Sequence, residues 1–285
     1  MISINLIDLN SFVFRYSKAF QSIMKNGGIY QLLQLIKFLS RNSDNRVIIA
    51  DDSSDNFRKK INPNYKANRK TWDDEIRKEF SIVKIILEQL GVPLIAKHGY
   101  EADDVIYTAC KFFQNDRKIR CVNVFSFDSD LFQCLFSNVY IAKFKTNRIE
   151  QKNFQQISDE KNYNFPIESL TEYKAMLGDN SDNIRGVPNF GKKTCCFVFN
   201  KFKNLANIKL FLNRNKTNCN KILTKKKIQN LEIYWPHILQ NIKIISPQFI
   251  NAITRHFESL NQFQLQGKMT QIQVLENKID LYSVI

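Results

Sequence analysis

Six cysteines and three histidines occur among the 285 residues, and neither set is arranged to hold a metal. Cys110, Cys121, Cys134, Cys195, Cys196 and Cys219 contain no Cys-x-x-Cys pair, and His98, His237 and His256 stand far apart, which argues against a zinc site. The thiols read as reduced and structural, as in an intracellular compartment, rather than as a disulfide framework. No apolar run approaches the roughly 20 residues needed to span a bilayer. Met1 to Leu9 has no basic start and meets Asp8 at once, so no secretory leader is expected there. The expected location is the cytoplasm, that of the host if the chain is viral, with no membrane partner. Negative charge is also scarce: 27 Asp and Glu against 42 Lys and Arg leave a formal net charge of +15. Hydrophobic residues make up 44% of the chain, enough for a buried core in one large domain or two smaller ones, and extensive disorder is excluded.

Lys and Asn are abundant throughout, so the basic balance alone fits a solvated surface as well as a polyanion partner. The few acids decide between them, because they gather at the ends of apolar runs: Asp8, Asp51, Glu101, Asp103, Asp104, Asp128, Asp130, Asp179 and Asp182. Carboxylates held close together repel one another, and divalent cations are their natural counter-charge. A basic surface around a cation-binding acidic cluster points to a metal-dependent enzyme acting on nucleic acid phosphodiesters.

The apolar pattern alternates between strand and helix. Ile2 to Ile7 and Arg46 to Ala50 read as buried strands, and Ile29 to Leu39 between them has helical spacing. Asp73 to Leu90 reads as a helix, Val92 to Ala96 as a strand, Ala102 to Phe113 as a helix, and Cys121 to Phe125 as a strand leading to Asp128. This is an α/β fold with a central, mostly parallel sheet flanked by helices. Right-handed crossovers put the carboxyl ends of such strands on one edge, so Asp8, Asp51 and Asp128 are expected on a common rim. Glu101, Asp103 and Asp104 open a helix. N-capping explains a single acid there, but poorly explains three acids in four residues. From about Pro166 the alternation gives way to helices, Glu168 to Leu177 and Lys192 to Lys201, with no obvious strand and no internal repeat. Residues 213–227 (NRNKTNCNKILTKKK) read as a solvated connection rather than a DNA-facing loop, and the tail from Ser246 as helical, packing back on the sheet.

Four segments carry a more specific signal. IDLNSFVFR places Asp8 at a strand end; ADDSSDNFRKKINPNYKANR spaces Asp51, Phe57-Arg58 and Tyr65-Lys66-x-x-Arg69; GYEADDVIYTAC is followed by SFDSDLFQCL; and LGDNSDNIRGVPNFGKKT runs from Leu177 to Thr194. In this order they resemble the flap endonuclease or 5′ nuclease family, especially its compact stand-alone phage-type members. The resemblance covers residues 8 to 194, and it favours Asp51 over Asp52.

The resemblance implies a PIN-like 5′ nuclease core over 1–165 with a helical arch at about 60–90. It also implies a helical region over 166–285 with a helix-three-turn-helix at about 171–200. It implies two Mg²⁺ ions, with Mn²⁺ as a substitute: Asp8, Asp51, Glu101, Asp103 and Asp104 around one, and Asp128, Asp130, Asp179 and Asp182 around the other, some through water. Lys66 and Arg69, at the start of the arch, would contact the scissile phosphate and stabilise transition-state charge. Tyr65 would stack on a base, and Arg58 would contact phosphate or pair with a rim acid. The turn with Gly186, Val187, Asn189 and Gly191, followed by Lys192 and Lys193, would cradle a duplex phosphate, with K⁺ bound through its carbonyls. Asn189 stands where the family usually has Gly, and Phe190 where it usually has an aliphatic residue.

The implied activity is 5′–3′ exonuclease and flap endonuclease cleavage of DNA with a 5′ single-stranded end, or of an RNA/DNA hybrid. It would remove primers during replication, as a monomer alongside replication proteins. The chain has no polymerase-sized extension and no obvious sliding-clamp peptide. One rival is a catalytically inactive DNA-junction binding protein of the same fold, which would gain nothing from acids facing a polyanion. The other is an RNA-cleaving toxin of similar architecture, expected to be shorter and to lack the Gly186 to Thr194 turn.

Overall fold

The computed structural model describes residues 1–214 and 221–260. The chain divides into two compact units, one built from Met1–Asn56, Thr71–Asn153 and the segment from Gln248, the other from Phe57–Lys70 and Phe154–Pro247.

The first unit holds strands β1 (Ile2–Asp8), β2 (Asn45–Ala50), β3 (Leu94–Ile95), β4 (Ile119–Phe125), β5 (Val139–Lys145) and β6 (Arg148–Lys152). They form one sheet in the order β3-β2-β1-β4-β5-β6, parallel except for the β5–β6 pair. The expected mostly parallel sheet is therefore present, with an antiparallel edge. Strand β1 is buried along almost its whole length, as a strand covered on both faces must be. Its buried Asn5 is hydrogen-bonded on both sides: Nδ2 donates to the Arg46 carbonyl (3.1 Å) and Oδ1 accepts from Asn123 Nδ2 (2.9 Å).

Helices α1 (Leu9–Phe20) and α2 (Gly27–Ser40) lie between β1 and β2 in the chain. The second unit contributes α3 (Phe57–Ile61), after which α4 (Asp74–Leu90) and α5 (Ala102–Phe113) return to the first. The apolar faces of α1, α2 and α4 supply Phe12, Val13, Leu32, Leu33, Ile36, Phe80, Val83 and Leu87 to one core with Ile7, Val47 and Ile49 of the sheet. The stretch expected as an arch, about 60–90, is thus shared: residues 57–70 group with the second unit, while α4 buries its apolar face in the core of the first.

In the second unit, helices α6 (Phe154–Lys161), α7 (Leu170–Leu177), α8 (Lys192–Phe202), α9 (Leu205–Arg214), α10 (Lys225–Ile233) and α11 (Trp235–Ile245) follow one another, and no strand occurs among its described residues. The solvated connection expected over 213–227 is shorter than it read. Arg214 ends α9, residues 215–220 lie outside the described residues, and Thr224 caps α10 by accepting from Lys227 N (3.4 Å). Lys227 turns inward, its Nζ donating to Thr194 Oγ1 (2.9 Å) and the Ile222 carbonyl (2.8 Å).

Back in the first unit, α12 (Thr254–Leu260) carries Phe257, which packs against Phe112 and Phe113. The described part of the tail therefore returns to α5 rather than to the sheet itself, because that helix presents an aromatic pair on which Phe257 packs. The remainder of the expected tail helix, 261–285, lies outside the described residues.

The α1–α2 contact is close enough to require glycine. A Cβ on Gly28 would lie 2.5 Å from the Val13 carbonyl oxygen and 2.6 Å from Ser17 Oγ. Gly28→Ala should therefore lower stability by about 1 kcal/mol or more, overpacking outweighing the helix-propensity gain. An unchanged or higher midpoint in urea denaturation would show that the two helices separate freely.

Candidate active site and metal centre

Strands β2, β1 and β4 are neighbours, so their carboxyl ends bring Asp51, Asp8 and Asp128 to one edge of the sheet. Asp8 is buried and caps α1, its Oδ1 accepting from Ser11 N (3.1 Å) and its Oδ2 from Ser126 Oγ (2.7 Å). Burial pushes its carboxyl up to about 7 against the pull of those two hydrogen bonds, and the charges of Asp52 and Asp128 add to the rise. Asp51 is also buried; its Oδ1 accepts from Asp52 N (2.9 Å), and its Oδ2 pairs with Lys84 Nζ of α4 at 2.6 Å.

The tightest group is formed by Asp103, Asp128 and Asp130, each half-buried, whose ligand oxygens all lie within 4.8 Å of one another. Burial holds the Asp103 carboxyl well above the usual carboxylate range, and the charges of Asp128, Asp8, Asp130 and Glu101 raise it further. Three hard oxygen donors without an imidazole or thiol suit Mg²⁺ or Mn²⁺. A divalent ion there would also relieve the repulsion that burial makes costly.

The acids at the start of α5 divide their work, contrary to the expectation that all three serve one ion. Glu101 is the N-cap and forms a capping box with Asp104. Asp104 is fully buried, and both of its oxygens are engaged: Oδ2 accepts from Glu101 N (3.0 Å) and Oδ1 from Gln248 N (2.7 Å). Buried backbone donors at a helix start need acceptors, so Asp104 belongs to the scaffold and stands apart from the three-carboxylate group. Asp103 alone faces Asp128 and Asp130.

The second unit builds a separate arrangement around Asp182, which is buried. Tyr65 Oη donates to its Oδ2 (3.1 Å), Lys66 Nζ lies 4.0 Å from the same oxygen, and the Arg69 guanidinium binds Oδ1. Lys66 also donates its backbone N–H to the Asp182 carbonyl (2.9 Å) from a left-handed conformation, φ 57°. Two residues expected at the nucleic acid are buried here. Tyr65 is only 4% exposed, with its hydroxyl committed to Asp182, so it presents no ring face for a base. Arg58 is 3% exposed, its Nε donating to the Ile244 carbonyl (2.7 Å) and its guanidinium over the Phe57 ring, a burial that disfavours phosphate contact and leaves the alternative of a rim-acid partner standing. Burial would raise the Asp179 carboxyl, but hydrogen bonds to its Oδ1 from Ser181 Oγ (2.6 Å), Ser181 N (2.7 Å) and Asp182 N (3.3 Å) hold it below the ordinary value.

The turn between α7 and α8 is tight where Gly186 passes Leu177: a Cβ on Gly186 would lie 2.0 Å from the Leu177 carbonyl oxygen. Val187 and Phe190 bury their side chains, while Asn189, Gly191, Lys192 and Lys193 are exposed. Asn189 takes φ 65°, the left-handed conformation in which Asn substitutes for Gly most readily. Gly191 is the N-cap of α8. Several carbonyls of this turn already accept hydrogen bonds, Arg185 from Asn241 Nδ2 (2.9 Å), Pro188 from Asn230 Nδ2 (2.9 Å) and Val187 from Phe190 N (3.0 Å).

Residues 3–164 match the family model described as the 5′-3′ exonuclease, N-terminal resolvase-like domain. A 5′-3′ exonuclease of Buchnera aphidicola subsp. Schizaphis graminum is 32% identical over 211 residues, covering 71% of each chain. The chain belongs to the 5′-3′ exonuclease family. It is accordingly a nuclease, a hydrolase of the 5′ nuclease class. Two solved structures share the fold. The zinc-bound T5 5′-exonuclease aligns with a TM-score of 0.67 at 19% identity, covering 99% of this chain and 100% of that one. The bacteriophage T5 flap endonuclease, in a pseudo-enzyme–product complex with DNA and metal ions, aligns with a TM-score of 0.66 at 20% identity, covering 96% and 99%.

Sequence reading missed three groups that shape this 5′ nuclease site. Asp52, passed over in favour of Asp51, accepts from Ala102 N (2.8 Å) and so holds the start of α5. Ser126 bridges Asp8 and the Asp128 backbone N–H (3.0 Å), and Lys84 neutralises Asp51. The place of Ser126, next to the Asp-x-Asp of SFDSD, was the only available signal; Lys84 has none, since it sits among exposed residues of a long amphipathic helix.

The raised carboxyl of Asp8 has a definite sign in stability. Its pKa moves from 3.8 to about 7, so the folded state binds a proton that the unfolded state releases. In chelator, the contribution of Asp8 to the free energy of unfolding should be greatest below the ordinary carboxylate value and be lost as pH rises toward about 7. The difference in unfolding free energy between the parent and Asp8→Asn, which keeps a good N-cap, should therefore change with pH across this range, and millimolar Mg²⁺ should offset the change. A parent-minus-Asp8→Asn difference that stays constant by urea denaturation from the ordinary carboxylate value to about 7 would contradict the assignment.

Proposed function

We propose that this 5′ nuclease is a structure-specific, divalent-metal-dependent phosphodiesterase. It would act on DNA with a 5′ single-stranded end or flap, or on an RNA/DNA hybrid, and remove primers during replication. The observation that carries this reading is the half-buried group of Asp103, Asp128 and Asp130 in a chain of net charge +15. Carboxylates facing a polyanion weaken binding unless cations stand between them, so the group fits cleavage better than simple junction binding. The relatives support the same reading: one solved structure of the fold holds zinc and another holds DNA and metal ions.

Mg²⁺ ions held there would supply Lewis-acid stabilisation of the phosphoryl oxygens and a hydroxide at neutral pH. Asp103, Asp128 and Asp130 hold the ions. Asp8, Asp51 and Glu101 complete the negative rim, and Lys84 Nζ pairs with Asp51 Oδ2. In the second unit, Asp182 pairs with Lys66 and Arg69; their role at the scissile phosphate rests on the family resemblance. Assigning Asp179 and Asp182 to a second ion rests on the family resemblance. Lys192, Lys193 and the Gly191 backbone take a duplex phosphate at the start of α8, where the helix dipole favours an anion. K⁺ at this turn would compete with Asn241, Asn230 and Phe190 N–H for the carbonyls of Arg185, Pro188 and Val187, so phosphate is the favoured occupant.

Purified protein should shorten a labelled 5′ flap or 5′-recessed duplex in Mg²⁺ or Mn²⁺ and leave it intact in EDTA; intact substrate in both would refute the reading. Asp128→Asn and Asp130→Asn should each lower kcat by roughly 100-fold or more while changing duplex affinity in chelator only slightly. Replacing Lys192 and Lys193 together by Ala should reduce the slope of log K against log salt by about 2, and an unaltered slope would remove them from the DNA contact.

A further inference from the structure

Phe127 lies between Ser126, which binds Asp8, and Asp128, one of the three clustered carboxylates, yet its side chain is not needed by either. It is 41% exposed, unusual for a phenyl ring beside a buried acidic centre. The backbone that carries it is fixed on every side. Phe127 N donates to Ser11 Oγ (2.9 Å), Ser126 Oγ accepts from Asp128 N (3.0 Å), and Asp128 Oδ1 accepts from Asp130 N (2.8 Å). The ring packs on α1, edge-on to Tyr16 with centroids 5.5 Å apart and tilted against Phe12 at 6.4 Å. The guanidinium carbon of Arg15, an exposed residue, lies 5.5 Å from the ring centroid. A rigidly held, partly bare aromatic with a cation beside it, one residue from a candidate metal ligand, is the composition of a single-strand stacking site.

We propose that Phe127 is a base-stacking platform that positions the nucleotide adjoining the cleaved phosphodiester. The proposal rests on the nuclease reading given above and adds to it the group that sets the base. A phosphate placed at Asp103, Asp128 and Asp130 carries its neighbouring base past the residue next to Asp128, and Arg15 supplies the charge that draws the strand there. Stacking accepts any base, so Phe127 contributes to register along the strand and to affinity without adding sequence preference. It is a binding and positioning group, not a source of protons or metal ligands.

The test compares a natural 5′ flap substrate with substrates that carry a single abasic site on either side of the cleaved bond. For the parent protein, removing one particular base should raise KM by about 5- to 100-fold, the range of one base–aromatic stack. For Phe127→Ala, KM on the natural substrate should rise to that abasic value and the ratio between substrates should fall to about one, while Phe127→Trp restores the ratio. A readout independent of turnover is the fluorescence of 2-aminopurine at the same position, measured in Ca²⁺: quenching should be strong with the parent and Phe127→Trp proteins and weak with Phe127→Ala. If the parent cleaves neither substrate, the nuclease reading fails. If it cleaves both and Phe127→Ala keeps the parent's abasic ratio and quenching, the stacking proposal alone is overturned. Matching urea midpoints for the three proteins show that a lost ratio does not come from misfolding; a lower midpoint for Phe127→Ala leaves the parent-to-tryptophan comparison and the parent's own abasic ratio to decide.

Discussion

The organising constraint in this molecule is repulsion among carboxylates that the sheet itself forces together. Parallel strands end on the same edge, so the acids that terminate β1, β2 and β4 cannot avoid one another, and burial denies them the water that would screen their charge. The local structure answers with partial remedies: Ser126 and the Ser11 N–H for Asp8, Lys84 for Asp51, and a helix start for Glu101 and Asp104. Among the described residues no hydrogen bond or ion pair relieves Asp103, whose carboxyl burial holds well above the ordinary range and the neighbouring acids raise further. The cluster is therefore an electrostatic deficit that bound cations would fill, and the positive surface beyond it matches a phosphate backbone.

The second unit solves a similar problem in the opposite way. Asp182 is surrounded by Lys66, Arg69 and the Tyr65 hydroxyl, so a buried charge is fully compensated by groups nearby in space though distant in sequence. Compensation of this kind is costly to break from either side, because the remaining partner is left buried and charged. It also explains why Lys66 tolerates a left-handed backbone: its N–H is bound to the Asp182 carbonyl, and the strain is held by that contact.

Much of this was legible from residue patterns. The strands ending at Asp8 and Asp51, the helix Ala102 to Phe113 and the tight turn at Gly186 followed from apolar periodicity and from motif spacing. Helix α1 was not, because Asp8 reads first as a strand end and its second role as an N-cap shows only in the Ser11 contact. The β5–β6 hairpin was missed because β6 (RIEQK) is an exposed edge strand with a polar sequence, and its turn depends on Asn147 at φ 57°. At the site, the motif located the acids but could not assign their oxygens. Asp104 and Asp103 are adjacent and chemically identical in sequence, and only the backbone donors around Asp104 separate a scaffold residue from a ligand. Tyr65 illustrates the reverse case, where a residue type common in nucleic-acid contacts is buried with its hydroxyl on Asp182.

Asp8 occupies three positions at once: last residue of the central strand, cap of the following helix and member of the acidic rim. Any side chain placed there is judged by folding before it is judged by chemistry. Asp130, half-buried in the first turn of the short 3-10 helix Ser129–Cys134, serves that turn through its backbone, its N–H donating to Asp128 Oδ1 and its carbonyl accepting from Gln133. An inactivated form suited to trapping an uncut substrate in its native seat is better sought at Asp130 than at the acid that begins the molecule's architecture.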